Sequence, residues 1–166
     1  MEMDLRKPKL SGLLGMTNEN GFTNYIIGKK PLEDFIKPVK DIKNLFLMSS
    51  GPVPPNPSEI LLSQQVDAMF EKLKEQFDII ILDTAPIGAV TDALILSKYT
   101  DVNLYLVRQR YTYKNSLDII NDLMESERME NLYIVVNDVK KGTSYKYGYG
   151  YGYGYGYGYG EGLEKS

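Results

Sequence analysis

The sequence of 166 residues contains no cysteine and no histidine. The first absence excludes a disulfide framework, a thiolate metal site and a cysteine nucleophile; the second removes imidazole ligands and the commonest general base. Any catalysis falls to carboxylates, Lys, Arg, Ser, Thr, Tyr or a borrowed cofactor. An excess of one charge is lacking too. Nineteen Lys+Arg against 22 Asp+Glu leave a net charge of −3, too balanced to draw in nucleic acid, so no nucleic-acid partner is expected. Long apolar runs are missing: Ile79 to Leu82 falls far short of the roughly 20 residues a membrane helix needs. Glu2, Asp4, Arg6 and Lys7 interrupt any apolar stretch of a signal peptide. A soluble, cytoplasmic chain is the expectation. Finally, the phosphate-cradling loop G-x-x-x-x-G-K-S/T occurs nowhere. Gly28-Lys29-Lys30 lacks the earlier glycine and the hydroxyl, and Gly51 lies among prolines, so these residues alone are not expected to bind ATP well.

What is present is enough for one domain with a core, at 43% hydrophobic residues. Asn44 to Met48 reads as a short strand, closed by Ser49-Ser50-Gly51 and prolines at 52, 54, 55 and 57. Ser58 is a candidate cap for a helix whose apolar face carries Leu62, Val66, Met69, Phe70 and Leu73. Phe77 to Leu82, ending at Asp83, has the form of a strand buried on both faces of a parallel sheet. Further on come a helix over Asp92–Lys98, a strand over Val102–Val107, a helix from Ser116 to about Glu127 with Leu117, Ile120 and Met124 on one face, and a strand over Leu132–Val136. Phe22 to Ile27 reads as a helix ended by Gly28, and Lys37, Lys40 and Lys43 as a solvated face. The alternation implies an α/β fold, a parallel sheet with helices on both faces and sites at the C-terminal strand ends.

The composition changes near residue 142. Eight of the 14 tyrosines, Tyr145, Tyr147, Tyr149, Tyr151, Tyr153, Tyr155, Tyr157 and Tyr159, recur at every second position with Gly in nearly every gap. We therefore divide the chain into a domain over 1–141 and a mobile tail over 142–166. Asp83 is the sharpest position in the domain, a carboxylate at the mouth of a strand, where it can hold Mg2+ beside a nucleotide phosphate or simply cap the following turn. Glu2 and Asp4, two apart in an extended stretch, share one side of the chain.

Asp4-Leu5-Arg6-Lys7-Pro8, the stretch Gly51 to Glu59, Phe77 to Pro86 and the tyrosine tail, in this order, resemble the bacterial tyrosine autokinases of capsule and exopolysaccharide synthesis. These are P-loop proteins similar to the ParA/MinD ATPases. The resemblance implies ATP and Mg2+ as cofactors and a Walker A strand, loop and helix upstream of the residues given, so that this chain alone is expected to be inactive. It implies that Asp83 is the Walker B carboxylate and that Asp4 is the second acid of a catalytic pair, both serving Mg2+. The first acid of that pair falls on Glu2, one methylene longer than the family's Asp. Arg6 matches the family's nucleotide-motif arginine. Asn137 occupies the place of a residue beside the adenine, although Asn137-Asp138 is also a natural turn. The eight tail tyrosines would be phospho-acceptors, modified in trans within a homo-oligomeric ring; without the resemblance they read as an adhesive Gly-Tyr segment. The family further implies a polysaccharide co-polymerase as membrane segment or partner, a tyrosine phosphatase, and a place at the inner face of the membrane. The rival expectation is a non-catalytic phospho-acceptor or scaffold for an active kinase.

Overall fold

Apolar residues three and four apart, and short aliphatic runs between them, assemble here into a small α/β fold; the computed structural model describes residues 1–140 apart from Ala89. The tyrosine tail, including Tyr145 to Tyr159, lies outside the described residues. Two short helices open the chain, α1 (Leu10–Leu13) and α2 (Phe22–Ile27). Next come strands β1 (Ile36–Pro38) and β2 (Phe46–Met48), antiparallel with Ile36 opposite Met48 and Pro38 opposite Phe46. Their connection turns through Asp41 and Asn44, both at φ 61°, a left-handed conformation that Asp and Asn tolerate better than other side chains. β1 was not foreseen, because its lysine-bearing stretch reads as solvated; Lys37, Lys40 and Lys43 are indeed exposed.

Helix α3 (Pro57–Leu61) and the long α4 (Gln64–Gln76) divide what reads as one helix. The break at Leu62-Ser63 leaves Leu62 63% exposed, while Val66, Met69, Phe70 and Leu73 are buried as the periodicity predicts. Ser58 does not cap. Its Oγ donates instead to Asp92 Oδ1 at 2.8 Å. Asp92 opens α5 (Asp92–Ser97). Strands β3 (Asn103–Arg108) and β4 (Leu132–Asn137) form a parallel pair in register from Asn103–Leu132 to Arg108–Asn137, as expected of an α/β alternation. Between them, α6 (Asp118–Glu125) follows a 3-10 turn over Lys114–Leu117. Its buried residues are Ile120 and Leu123, not the expected Leu117 and Met124, which are exposed.

The stretch Phe77–Leu82 corrects the expectation of a strand covered on both faces. It makes no extended ladder; Asp83 alone forms a parallel bridge, with Glu2. Ile80 and Leu82 pack on the core, whereas Ile79 and Ile81 are 79% and 71% exposed. Alternation in burial is the mark of an extended chain with one covered face. The core it covers gathers Met3, Leu5, Phe22, Met48, Val66 and Phe70 among others, with the ring of Tyr99 stacked on Phe70 at 4.1 Å between centroids. No helix among the described residues is long and apolar enough to cross a membrane.

Phe70 is 1% exposed and lies between α4 and Tyr99, so truncation removes both transfer free energy and a stacked ring. Phe70→Ala is expected to destabilise the chain by about 3–5 kcal/mol, read as a fall in the midpoint of denaturant unfolding with an unchanged slope.

Candidate metal and phosphoryl-transfer site

The site begins with backbone pairing. Glu2 N–H donates to the Met48 carbonyl at 2.9 Å, Met3 N–H to the Asp83 carbonyl at 2.7 Å, and Asp83 N–H to the Met1 carbonyl at 2.9 Å. The first residues thus lie as an extended segment between the end of β2 and Asp83, with Met3 and Leu5 pointing into the core at 0% exposure. Period-two alternation then leaves Asp4 half-buried at the end of this segment, on the neighbouring track to Asp83.

Asp83 senses the acids of the first segment. Asp83 is pushed above the ordinary aspartate pKa, first by partial loss of water and then by the negative charges of Asp4 and Glu2. Asp4 is held in place by a turn: its Oδ1 accepts from the backbone N–H groups of Arg6, at 3.1 Å, and Lys7, at 3.0 Å. Its Oδ2 has no hydrogen bond among the described residues. Two repelling carboxylates, one with an oxygen left over, fit a hard divalent cation, which relieves the repulsion. No cluster of three or more acids able to hold a metal exists among the described residues. Mg2+ keeps several waters and is bound through one or two carboxylates plus phosphate oxygens.

Glu2 departs from its expected part in the catalytic pair. It is fully buried; Oε1 accepts from Ser11 N–H at 3.0 Å and Ser11 Oγ–H at 3.3 Å, and Oε2 accepts from Ser50 N–H at 3.1 Å. A carboxylate so enclosed fastens α1 and the loop after β2 to the first segment and cannot approach a tyrosine hydroxyl. The extra methylene relative to Asp gives it that reach.

Arg6 is likewise engaged within the chain. Its Nε donates to Asp92 Oδ2 at 2.9 Å, and its Nη2 to Asp92 Oδ1 at 3.3 Å and Ser58 Oγ at 3.2 Å. Sequence reasoning passed over Asp92, which looks like any acid at a helix start, and took Ser58 for a cap. Asn137 closes β4, and its Oδ1 accepts from the Asp138 N–H at 2.8 Å, so the turn reading is realised there. Beside it, Arg108 Nε pairs with Asp138 Oδ2 at 3.0 Å. Arg108, Gln109, Arg110, Tyr111, Asp138 and Lys140 line a small open recess at this C-terminal strand end.

The fold is α/β, with the parallel pair β3–β4 and helices between its short strands. No family model matches the chain. Among curated proteins it is 36% identical over 144 residues to the tyrosine-protein kinase ptk of Acinetobacter johnsonii, a match covering 87% of this chain and 20% of that one. It is 32% identical over 146 residues to the putative tyrosine-protein kinase CapB of Staphylococcus aureus, covering 87% of this chain and 64% of CapB. Among solved structures, the chimerical protein CapA2B2 superposes with a TM-score of 0.78 at 29% identity, over 84% of this chain and 62% of that one. The chain is similar to these bacterial tyrosine-protein kinases over 87% of its own length and spans less than two thirds of theirs.

A carboxyl whose pKa is raised by folding opposes the folded state once it ionises, so its cost is absent in acid and grows as pH rises through the carboxylate range. Asp83→Asn is therefore expected to raise the thermal midpoint at pH 7 in metal-free buffer, and this gain should vanish as pH falls below the carboxylate range. Millimolar Mg2+ should stabilise the parent chain and leave Asp83→Asn unmoved, both read by thermal unfolding.

Proposed function

We propose that this chain carries the acidic, metal-binding part of a protein-tyrosine kinase site that transfers the γ-phosphoryl group of ATP to tyrosine in capsule or exopolysaccharide synthesis. The observation that carries the reading is the pair Asp4 and Asp83, brought onto neighbouring tracks by the Glu2–Asp83 bridge, with the charge of Asp4 among the causes that raise the pKa of Asp83. In the reaction the tyrosine oxygen bonds to the γ-phosphorus while the bond from that phosphorus to the β,γ-bridging oxygen breaks. ADP leaves with that electron pair, and the phenolic proton passes to a carboxylate, for which half-exposed Asp4 is this chain's candidate. Mg2+ held by Asp83 and Asp4 would spread the phosphate charge in the transition state. The backbone N–H groups of Arg6 and Lys7 hold Asp4, while Nε and Nη2 of Arg6 are engaged by Asp92 and Ser58. Asn137, at its strand end, is the residue we assign to the adenine.

Placing the phosphates falls to a glycine-rich loop, which these 166 residues do not contain. Most of the positioning and electrostatic stabilisation in phosphoryl transfer comes from such elements. Tyr145 to Tyr159 are assigned as acceptors, modified in trans by neighbouring subunits of a ring. Each phosphotyrosine adds about −1.5 to −2 charges, enough for several on one tail to push subunits apart. A membrane-bound polysaccharide co-polymerase and a tyrosine phosphatase complete the proposed partners, at the cytoplasmic face of the membrane.

Intact mass after incubation with Mg2+-ATP tests this reading, once with the chain alone and once beside an active tyrosine kinase of the same family. The expected result is no change alone and several phosphates in trans, mapping to Tyr145–Tyr159 and not to Tyr105 or Tyr133. Phosphate acquired by the chain alone would overturn the need for a separate phosphate loop. No phosphate in either tube would overturn the acceptor assignment and leave a scaffold.

A further inference from the structure

Asp92 is, with Glu2, one of the two acids that are fully buried among the described residues, both at 0% exposure. A carboxylate in that position is costly unless its oxygens are answered by donors. All its donors come from far along the sequence: Arg6, 86 residues away, through Nε and Nη2, and Ser58, 34 residues away, through Oγ at 2.8 Å. The Arg6 Nη2 also donates to Ser58 Oγ at 3.2 Å, which closes the three side chains into a ring. The guanidinium side chain remains 39% exposed, so the arrangement sits at the edge of the acidic site and not deep in the core.

Arg6 is held at both ends. Its side chain is fixed by Asp92 and Ser58, and its backbone N–H, with that of Lys7, fixes Asp4 Oδ1. The turn from Asp4 to Lys7 is thus tied to the start of α5, the element reached directly from Asp83 through residues 84–91. The side-chain ring and the Asp4 turn therefore meet in one residue, Arg6.

We propose that Asp92 is a positioning residue, which with Ser58 holds Arg6 and through it aims the free oxygen of Asp4 at the cation shared with Asp83. This rests on the reading of Asp4 and Asp83 as a cation-binding pair. Asp92 does not touch the cation; it acts through the Arg6 turn. Outer-shell partners of this kind are commonly worth a factor of about 10 to 100 in metal affinity. Lysine cannot replace Arg6 here, because one ammonium group cannot reproduce the fork across Asp92 and Ser58.

The test uses the whole chain with Mn2+ as a paramagnetic probe, titrated by electron paramagnetic resonance, together with amide hydrogen exchange at Arg6 and Lys7 by NMR. Asp92→Asn is expected to weaken Mn2+ binding about tenfold or more and to speed exchange at those two amides, while protection in β3 and β4 stays as in the parent. Ser58→Ala and Arg6→Lys should shift both readouts in the same direction, and they carry the test should Asp92→Asn fail to fold. Unchanged Mn2+ affinity in these variants, with Asp4→Asn and Asp83→Asn losing it, would overturn the positioning role alone. A parent chain that binds no Mn2+, or binds it equally after Asp4→Asn and Asp83→Asn, would overturn the cation-pair reading and this role with it.

Discussion

The backbone pairing that seats residues 1–3 between Met48 and Asp83 is the constraint on which the rest of the site depends. It is short, one parallel bridge and four hydrogen bonds, the Met1 amino group to the Ile81 carbonyl included. Yet it fixes two things together. It sends Met3 and Leu5 into the core, and through their alternation it sends Asp4 to the same end as Asp83. Burial of apolar side chains thereby supplies the free energy that holds two like charges near each other, a placement electrostatics alone would oppose. Glu2 secures the same segment from its other side, exchanging the hydration of its carboxylate for three donors from Ser11 and Ser50.

Much of the fold was legible because period and length reported it. The buried face of α4, the helix of α5 and the strands β3 and β4 follow from the spacing of aliphatic residues, and Asp83 stands out as the charge that ends an apolar run. Other features depended on what each element meets in space. An unbroken aliphatic run at Phe77–Leu82 looks the same whether one face or two are covered, so the exposure of Ile79 and Ile81 carried no signal of its own. β1 was hidden because Lys37 and Pro38 are ordinary loop residues until Leu47 and Phe46 pair with them. The division of α3 from α4 turns on Leu62-Ser63, where no glycine or proline announces a break.

The site divides in the same way. Asp83 could be named from its position at the end of an apolar run, whereas Asp4 was named from the acidic-x-Asp-x-Arg pattern and the resemblance to tyrosine kinases. Similarity to kinases such as CapB, over 87% of this chain, agrees with that assignment of family. Glu2 and Arg6 were named as well, but sequence could not tell that one is sealed in the interior and the other is spent on Asp92. Burial and pairing of a charge are tertiary facts. Asp92 and Ser58 were missed for the same reason, since an acid at the start of a helix and a serine after a proline each have a sufficient local explanation.

The ring formed by Arg6, Ser58 and Asp92 also bears on how such a sequence can drift. Any single loss within it removes hydrogen bonds from the other two side chains, and changes at residues in one hydrogen-bonded network do not add independently. The cost of a replacement at any one of these positions therefore depends on what stands at the other two. Three side chains separated by up to 86 positions of the chain thus make up one energetic unit.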